Sequence, residues 1–300
     1  MTTASPPDAA PTVLPPLRVQ SVLGDFREIA TDFLNAGDLL GQLVRRDITI
    51  RYKQAFFGFA WAVLVPMVIV VAGLSVRVAL AHAAGRTLST GQMAGIAVKS
   101  VPWAFFVGCI NTTTPSLVGN MSLVTKIRFP REVLPLAAVL AQTFDSSIGI
   151  VISLLTLPFL GVHPGPTALW APFLLFLLWL FAFSLGLLLS CANLFFRDVK
   201  YLVQVFLTFG IFVTPVLLDA PMFGRLGSRL IMLNPVAPIL EGLRLSVIEH
   251  HNLLKPLAAP QGFPFWNAGN LWYCVACTFG LFFTASIIFH RAEERFAEIG

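Results

Sequence analysis

Long apolar blocks alternate with short polar segments over most of this chain. A helix needs about 20 mainly apolar residues to cross a bilayer. Six blocks come near that length: Phe56–Leu80, Gly91–Ile110, Val133–Leu160, Leu169–Cys191, Tyr201–Leu218 and Leu271–Phe289. None alternates residue by residue, and each exceeds a strand, so a membrane β-barrel is excluded. The pattern predicts an all-α membrane protein with six transmembrane helices. Pro135 marks the entry of the third.

Two segments depart from this rhythm. Leu43–Pro66 packs Arg45, Arg46, Arg51 and Lys53 directly ahead of an apolar span, the pattern of an amphipathic helix lying along the membrane. Between spans five and six, Asp219–Asn270 holds an apolar run, LIMLNPVAPILEGLRLSVI, broken by Pro235 and Pro238. That run is too short and interrupted to span. Re-entrant helices at the outer face are expected, with a surface helix as the alternative.

Composition supports the membrane reading. Hydrophobic residues make up 56% of the 300 residues and charged residues 12%, against about 25% charged in soluble domains. The net charge of +5 fits basic cytoplasmic loops rather than a nucleic-acid surface. Lys and Arg mark the cytoplasmic side. With both termini inside, that side collects Arg45, Arg46, Arg51 and Lys53, then Lys126, Arg128 and Arg131, then Arg197 and Lys200, then Arg291 and Arg295. Residues 1–36 lack a basic region followed by an apolar core. They read as a disordered, Pro-rich cytoplasmic tail ahead of a transmembrane domain over 37–300.

Candidate chemistry is sparse. No GxxxxGK[ST], HExxH or GxSxG motif occurs, so no nucleotide, metal or serine-hydrolase site is expected in this chain. Cys274 and Cys277 have CxxC spacing but no second ligand cluster, and read as small residues on a helix face. Glu249, His250 and His251 read as a solvated loop rather than a metal site. Lys99 and Asp145 are the charged residues well inside the spans. Counted at about 1.5 Å per residue they lie at similar depth, so they are expected to pair or to face a polar lumen; the alternative has Lys99 snorkelling outward and Asp145 bonded to a neighbouring helix.

Taken in order, several blocks carry a resemblance. They are Arg46-Asp47, Arg51-Tyr52-Lys53-Gln54, Gly58, Trp61 and Pro66; Pro102-Trp103 with Phe105-Phe106; Ser116-Leu117-Val118-Gly119-Asn120; Leu123-Val124-Thr125-Lys126; Phe129-Pro130-Arg131-Glu132-Val133-Leu134-Pro135; Arg197-Asp198-Val199; Thr214-Pro215-Val216; and Asn234-Pro235 with Glu241-Gly242 and Arg244. Over about residues 40–290 the chain resembles the membrane (permease) subunit of ABC-2 type exporters of O-antigen, capsule and teichoic-acid polysaccharides. It departs at Phe195-Phe196, where a tyrosine is common before Arg197-Asp198, and in its Pro-rich tail, which has no counterpart.

The resemblance implies a homodimer of six-span subunits in the bacterial inner membrane, working with two copies of a separate ATPase that binds ATP and Mg. The dimer interface would enclose a channel for a lipid-linked polysaccharide. Gly37–Lys53 would be the interface helix. Thr113–Glu132 would couple to the ATPase, with Lys126, Arg128, Arg131 and Glu132 assisted by Arg46 and Asp47. Arg46, Arg51 and Lys53 would meet the lipid diphosphate or the membrane interface. Phe56, Phe59, Trp61, Trp103, Phe106 and Asp145 would line the channel, since ring faces stack on sugar C–H faces. Asn234, Pro235, Glu241 and Arg244 would form a periplasmic gate. The alternatives are an ABC-2 permease for a drug or small lipid, and a membrane-embedded glycosyl or acyl transferase. The second would need carboxylates or histidines gathered at one membrane face.

Overall fold

The computed structural model describes residues 37–53, 60–83, 85, 87–126 and 129–296. The tail over 1–36, together with Phe56, Phe59, Arg128 and the side chain of Lys126, lies outside the described part.

Helix α1 (Gly37–Lys53) has Asp38 in its first turn and Arg51 and Lys53 in its last, each sign matching the helix dipole. It packs on α5 (Val133–Thr156). Helices α2 (Ala60–Ala83) and α3 (Thr90–Thr113) follow. Ser89 and Gln92 cap α3 reciprocally, satisfying two end groups that water or lipid would otherwise have to meet. A 3₁₀ turn at Val118–Asn120 leads into the short α4 (Met121–Lys126). Helix α6 (Trp170–Phe195) packs extensively on α10 (Ala268–Phe296) and on α3. Helix α7 (Val199–Val213) leaves most of its apolar side chains exposed, among them Phe206, Phe209 and Phe212.

Among the described residues, four helical stretches are long and apolar enough to cross a membrane: Thr90–Thr113, Val133–Leu160, Pro166–Phe195 and Ala268–Glu293. The apolar parts at Met67–Ala83 and Val199–Val213 are shorter. The apolar pattern carries the fifth block to Leu218, but its helix stops at Val213. Pro215 forces the preceding Thr214 into extended backbone (φ −117°, ψ 141°). The third block is α-helical only to Thr156 and finishes in a 3₁₀ turn at Pro158–Leu160, because Pro158 has no N–H to continue the ladder.

The segment holding the broken apolar run forms two helices, α8 (Gly224–Ile231), which ends as the run begins, and α9 (Val236–Val247) within it. Pro238 sits in the first turn of α9, where its missing N–H costs little. The Asn234 side chain accepts from the Val236 N–H at 3.1 Å, capping the start. All twelve residues of α9 are buried, packed against α6, α3 and α10, whereas α8 lies at the surface with Leu226 and Leu230 exposed. A short hairpin, β1 (Leu257–Ala258) and β2 (Pro264–Trp266), pairs antiparallel beyond it and buries Trp266.

Candidate functional site

Five helices meet around a cavity of about 500 Å³ whose lining is mixed in character. Helix α1 contributes Arg51 and Tyr52, α2 contributes Trp61 and Ile69, and α3 contributes Trp103, Val107, Gly108 and Asn111. From α5 come Gln142, Asp145 and Ser146, and from α7 Gln204, Leu207, Thr208 and Ile211. Gln204 and Thr208 are four residues apart and share one helix face. A pocket of this kind, apolar walls with a few fixed donors and acceptors, is the usual form of a binding site.

The polar groups at the α1 end are tied together. Arg51 donates from Nη1 to Gln142 Oε1 at 2.9 Å and to Asp145 Oδ2. The Tyr52 hydroxyl donates to the other carboxylate oxygen of Asp145. Burial and this bond to Asp145 push the Tyr52 phenol above its usual range, so it stays a donor. Gly108 makes the arrangement possible: a Cβ there would fall 2.6 Å from the Gln142 amide. Trp103 is held by a tilted neighbour, Phe106, at 5.7 Å, and by Gly210, whose missing Cβ leaves room for the indole edge.

The expected Lys99–Asp145 pair does not form. Asp145 is bound by Arg51 and Tyr52 from α1, while Lys99 points to the opposite end of α3. There Lys99 meets Asp219 at 2.7 Å and Glu241 at 3.7 Å. Arg77 reaches the same Asp219 at 2.7 Å, and its Nε donates to the Leu217 carbonyl at 2.8 Å. Arg244 joins Asp219, Glu241 and Glu249. Three cations thus face three carboxylates, and Lys99 and Glu241 are fully buried. Burial alone would raise the Asp219 carboxyl, but Lys99, Arg244 and Arg77 outweigh it and hold that group well below the usual range.

The structure places the remaining expected residues as follows. Trp61 is half exposed and lines the cavity. Phe106 is buried in the core against Phe181, so its ring does not reach the cavity wall. Arg46 pairs with Asp47 at 2.9 Å and also donates to Asn120 Oδ1 at 2.9 Å, linking α1 to the segment before α4. Arg131 turns inward: its backbone N–H donates to Glu293 at 3.1 Å and its guanidinium lies over Phe296. Glu132 is buried beside it. Lys53 is exposed. Asn234 donates to Thr214 Oγ1 at 3.0 Å, fastening the start of α9 to the end of α7.

Among the described residues, Glu132, His290 and Glu293 bring three ligand-type atoms within 4.8 Å of one another; Arg131, 3.9 Å from Glu293, supplies positive charge there. Glu249 is held by Arg244, and His251 lies 3.0 Å from the Lys255 carbonyl, so these two residues are engaged within the chain. All four cysteines are free thiols.

Counting charges alone missed the neutral polar groups. Gln142, Gln204 and Thr208 stand out as polar positions inside apolar blocks and Asn111 directly follows one; the four-residue spacing of Gln204 and Thr208 was the available signal. The partners of Lys99 were not legible because Asp219 and Glu241 both belong to the segment between spans five and six, far from Lys99 in the chain.

The family model for ABC-2 type transporters matches residues 38–248. The chain is similar to the O-antigen export system permease protein RfbA of Myxococcus xanthus, 28% identical over 266 residues, covering 87% of this chain and 94% of the relative. It is also similar to the protein of the same name from Klebsiella pneumoniae, 28% identical over 211 residues, covering 68% of this chain and 77% of the relative.

Proposed function

The chain belongs to the ABC-2 type transporter family, and on that premise we propose that it is the transmembrane subunit of an ATP-driven exporter of a lipid-linked, O-antigen-like polysaccharide. The observation that carries this reading is the cavity in which two Trp rings alternate with amide, hydroxyl and charged groups. Sugar rings offer apolar C–H faces and hydroxyls, and this lining meets both. The likeness to O-antigen export permeases over most of the chain supports the same substrate class.

In this reading the chain crosses the inner membrane six times, with both termini cytoplasmic. Helices α2 and α7 complete the four longer spans. Two copies join so that Trp61 and Trp103 line a shared path, with Asp145 beside Arg51. Two copies of a separate ATPase bind ATP and Mg and drive the movement. Lys126 and Arg128 dock on that subunit. Arg131 and Glu132 fasten the docking segment to α10, and Arg46 with Asp47 fastens it to α1. Arg46, Arg51 and Lys53 meet the lipid diphosphate at the membrane surface. At the outer end, Asn234, Pro235, Glu241 and Arg244 hold α9 as a re-entrant gate.

Deleting the gene tests this directly. Surface polysaccharide should disappear and its lipid-linked precursor should accumulate inside the cell. Normal surface display in the deletion strain would refute the reading.

A further inference from the structure

The Arg51 side chain is only partly satisfied. Both of its hydrogen bonds among the described residues leave from Nη1, one to Gln142 and one to Asp145. The side chain keeps 31% of its exposure at the cavity wall. Among the described residues its Nε and Nη2 donors are open to first contact with phosphate oxygens, while capture of the whole guanidinium requires displacing Asp145 from Nη1. Asp145 is held by two donors on separate oxygens, Arg51 on Oδ2 and Tyr52 on Oδ1. If Arg51 lets go of Asp145, Tyr52 stays, so the carboxylate is not left buried without a partner.

We propose that Asp145 is a specificity-determining residue: in the resting cavity it occupies Arg51, and it releases that side chain to a diphosphate but not to a phospholipid headgroup. This rests on the exporter reading above. The selectivity follows from charge. A phosphodiester headgroup carries the same single charge as Asp145 and gains nothing by replacing it. A diphosphate linkage carries more charge and more acceptor oxygens, and wins the exchange. Gln142 keeps the guanidinium at the wall during the exchange, because its amide oxygen does not depend on Asp145.

The test uses the full chain copurified with its ATPase in lipid nanodiscs. Undecaprenyl diphosphate is the probe, and phosphatidylglycerol in the disc is the competitor. In the unmodified complex the probe should bind with little competition. In Asp145→Asn the probe should bind more tightly and phosphatidylglycerol should compete about tenfold better, the change expected for one charge interaction. Arg51→Gln should abolish probe binding. Tyr52→Phe removes one donor from Asp145, strengthens its hold on Arg51 and should weaken probe binding; this variant serves if the Asn variant does not assemble. Unchanged discrimination in Asp145→Asn, or unchanged probe affinity in Tyr52→Phe, would overturn the proposal. The exporter reading is judged separately by surface polysaccharide in cells. Normal export without probe binding in the purified complex would overturn the Asp145 exchange alone.

Discussion

Gly108 shows how a single missing methyl group shapes the cavity. A Cβ at this position would meet the flexible end of Gln142 rather than backbone, so Gly108→Ala should cost little stability but push the Gln142 amide off Arg51. We expect near-normal amounts of folded protein with reduced export. A large drop in melting temperature would instead mean that Gly108 serves packing. Asp219 lies at the other extreme. Removing its charge leaves Lys99, Arg77 and Arg244 short of a carboxylate, and Asp219→Asn should destabilise by about 3 to 5 kcal/mol. Because the folded-state carboxyl is held below its ordinary value, its stabilisation is complete above about pH 4 and is lost only as pH falls through the lowered value. Thermal unfolding of the two proteins in detergent should therefore differ by a constant amount from pH 7 down to about 4. A difference that vanishes near pH 6 would contradict this. At this scale the sequence was least legible. Asp145 stands out as a buried charge, but its partners lie about ninety residues away in the chain, and no local spacing reveals them.

Among the elements, α1 carries two attachments: Arg46 to Asn120 beside α4, and Arg51 to Gln142 and Asp145 on α5. One short helix thus touches both the segment before α4 and the cavity, and in the proposed function a shift of that segment reaches the cavity through a rigid body. Arg46→Ala should leave the protein inserted and its ATPase bound, yet lower substrate-stimulated ATP hydrolysis relative to the basal rate. An unchanged ratio would assign Arg46 to topology alone. Helices α2 and α3 approach closely at Gly73, where a Cβ would fall 2.7 Å from Ile96 Cγ2. Small residues permit such contacts in membranes, and Gly73→Ala should lower stability by about 1 to 3 kcal/mol through overpacking; denaturant unfolding in detergent measures this. The positions of the apolar helices were readable from run length, since burial in lipid or protein demands continuous apolar sequence. Their ends were less so: Thr214 and Pro158 show that proline chemistry, rather than hydropathy, stops a helix. The full burial of α9 was not readable either, because its Glu241 and Arg244 look like surface residues until Lys99 and Asp219 are brought beside them.

Considered as a whole, the molecule has one end organised by a balanced charge cluster and another by the Arg51–Asp145 pair, with α3 running between Lys99 at the first and Asn111 near the second. The cavity at the Arg51–Asp145 end presents both aromatic rings and polar groups. Family membership was legible in the sequence because the matching blocks are spread in order along the chain rather than confined to one motif. In the proposed function this chain supplies the path and a separate ATPase supplies the energy. The direct measurement is transport of radiolabelled lipid-linked polysaccharide in proteoliposomes holding the chain with or without that ATPase. Transport is expected only when the ATPase, ATP and Mg are all present. Transport by the chain alone, driven by an ion gradient, would contradict it.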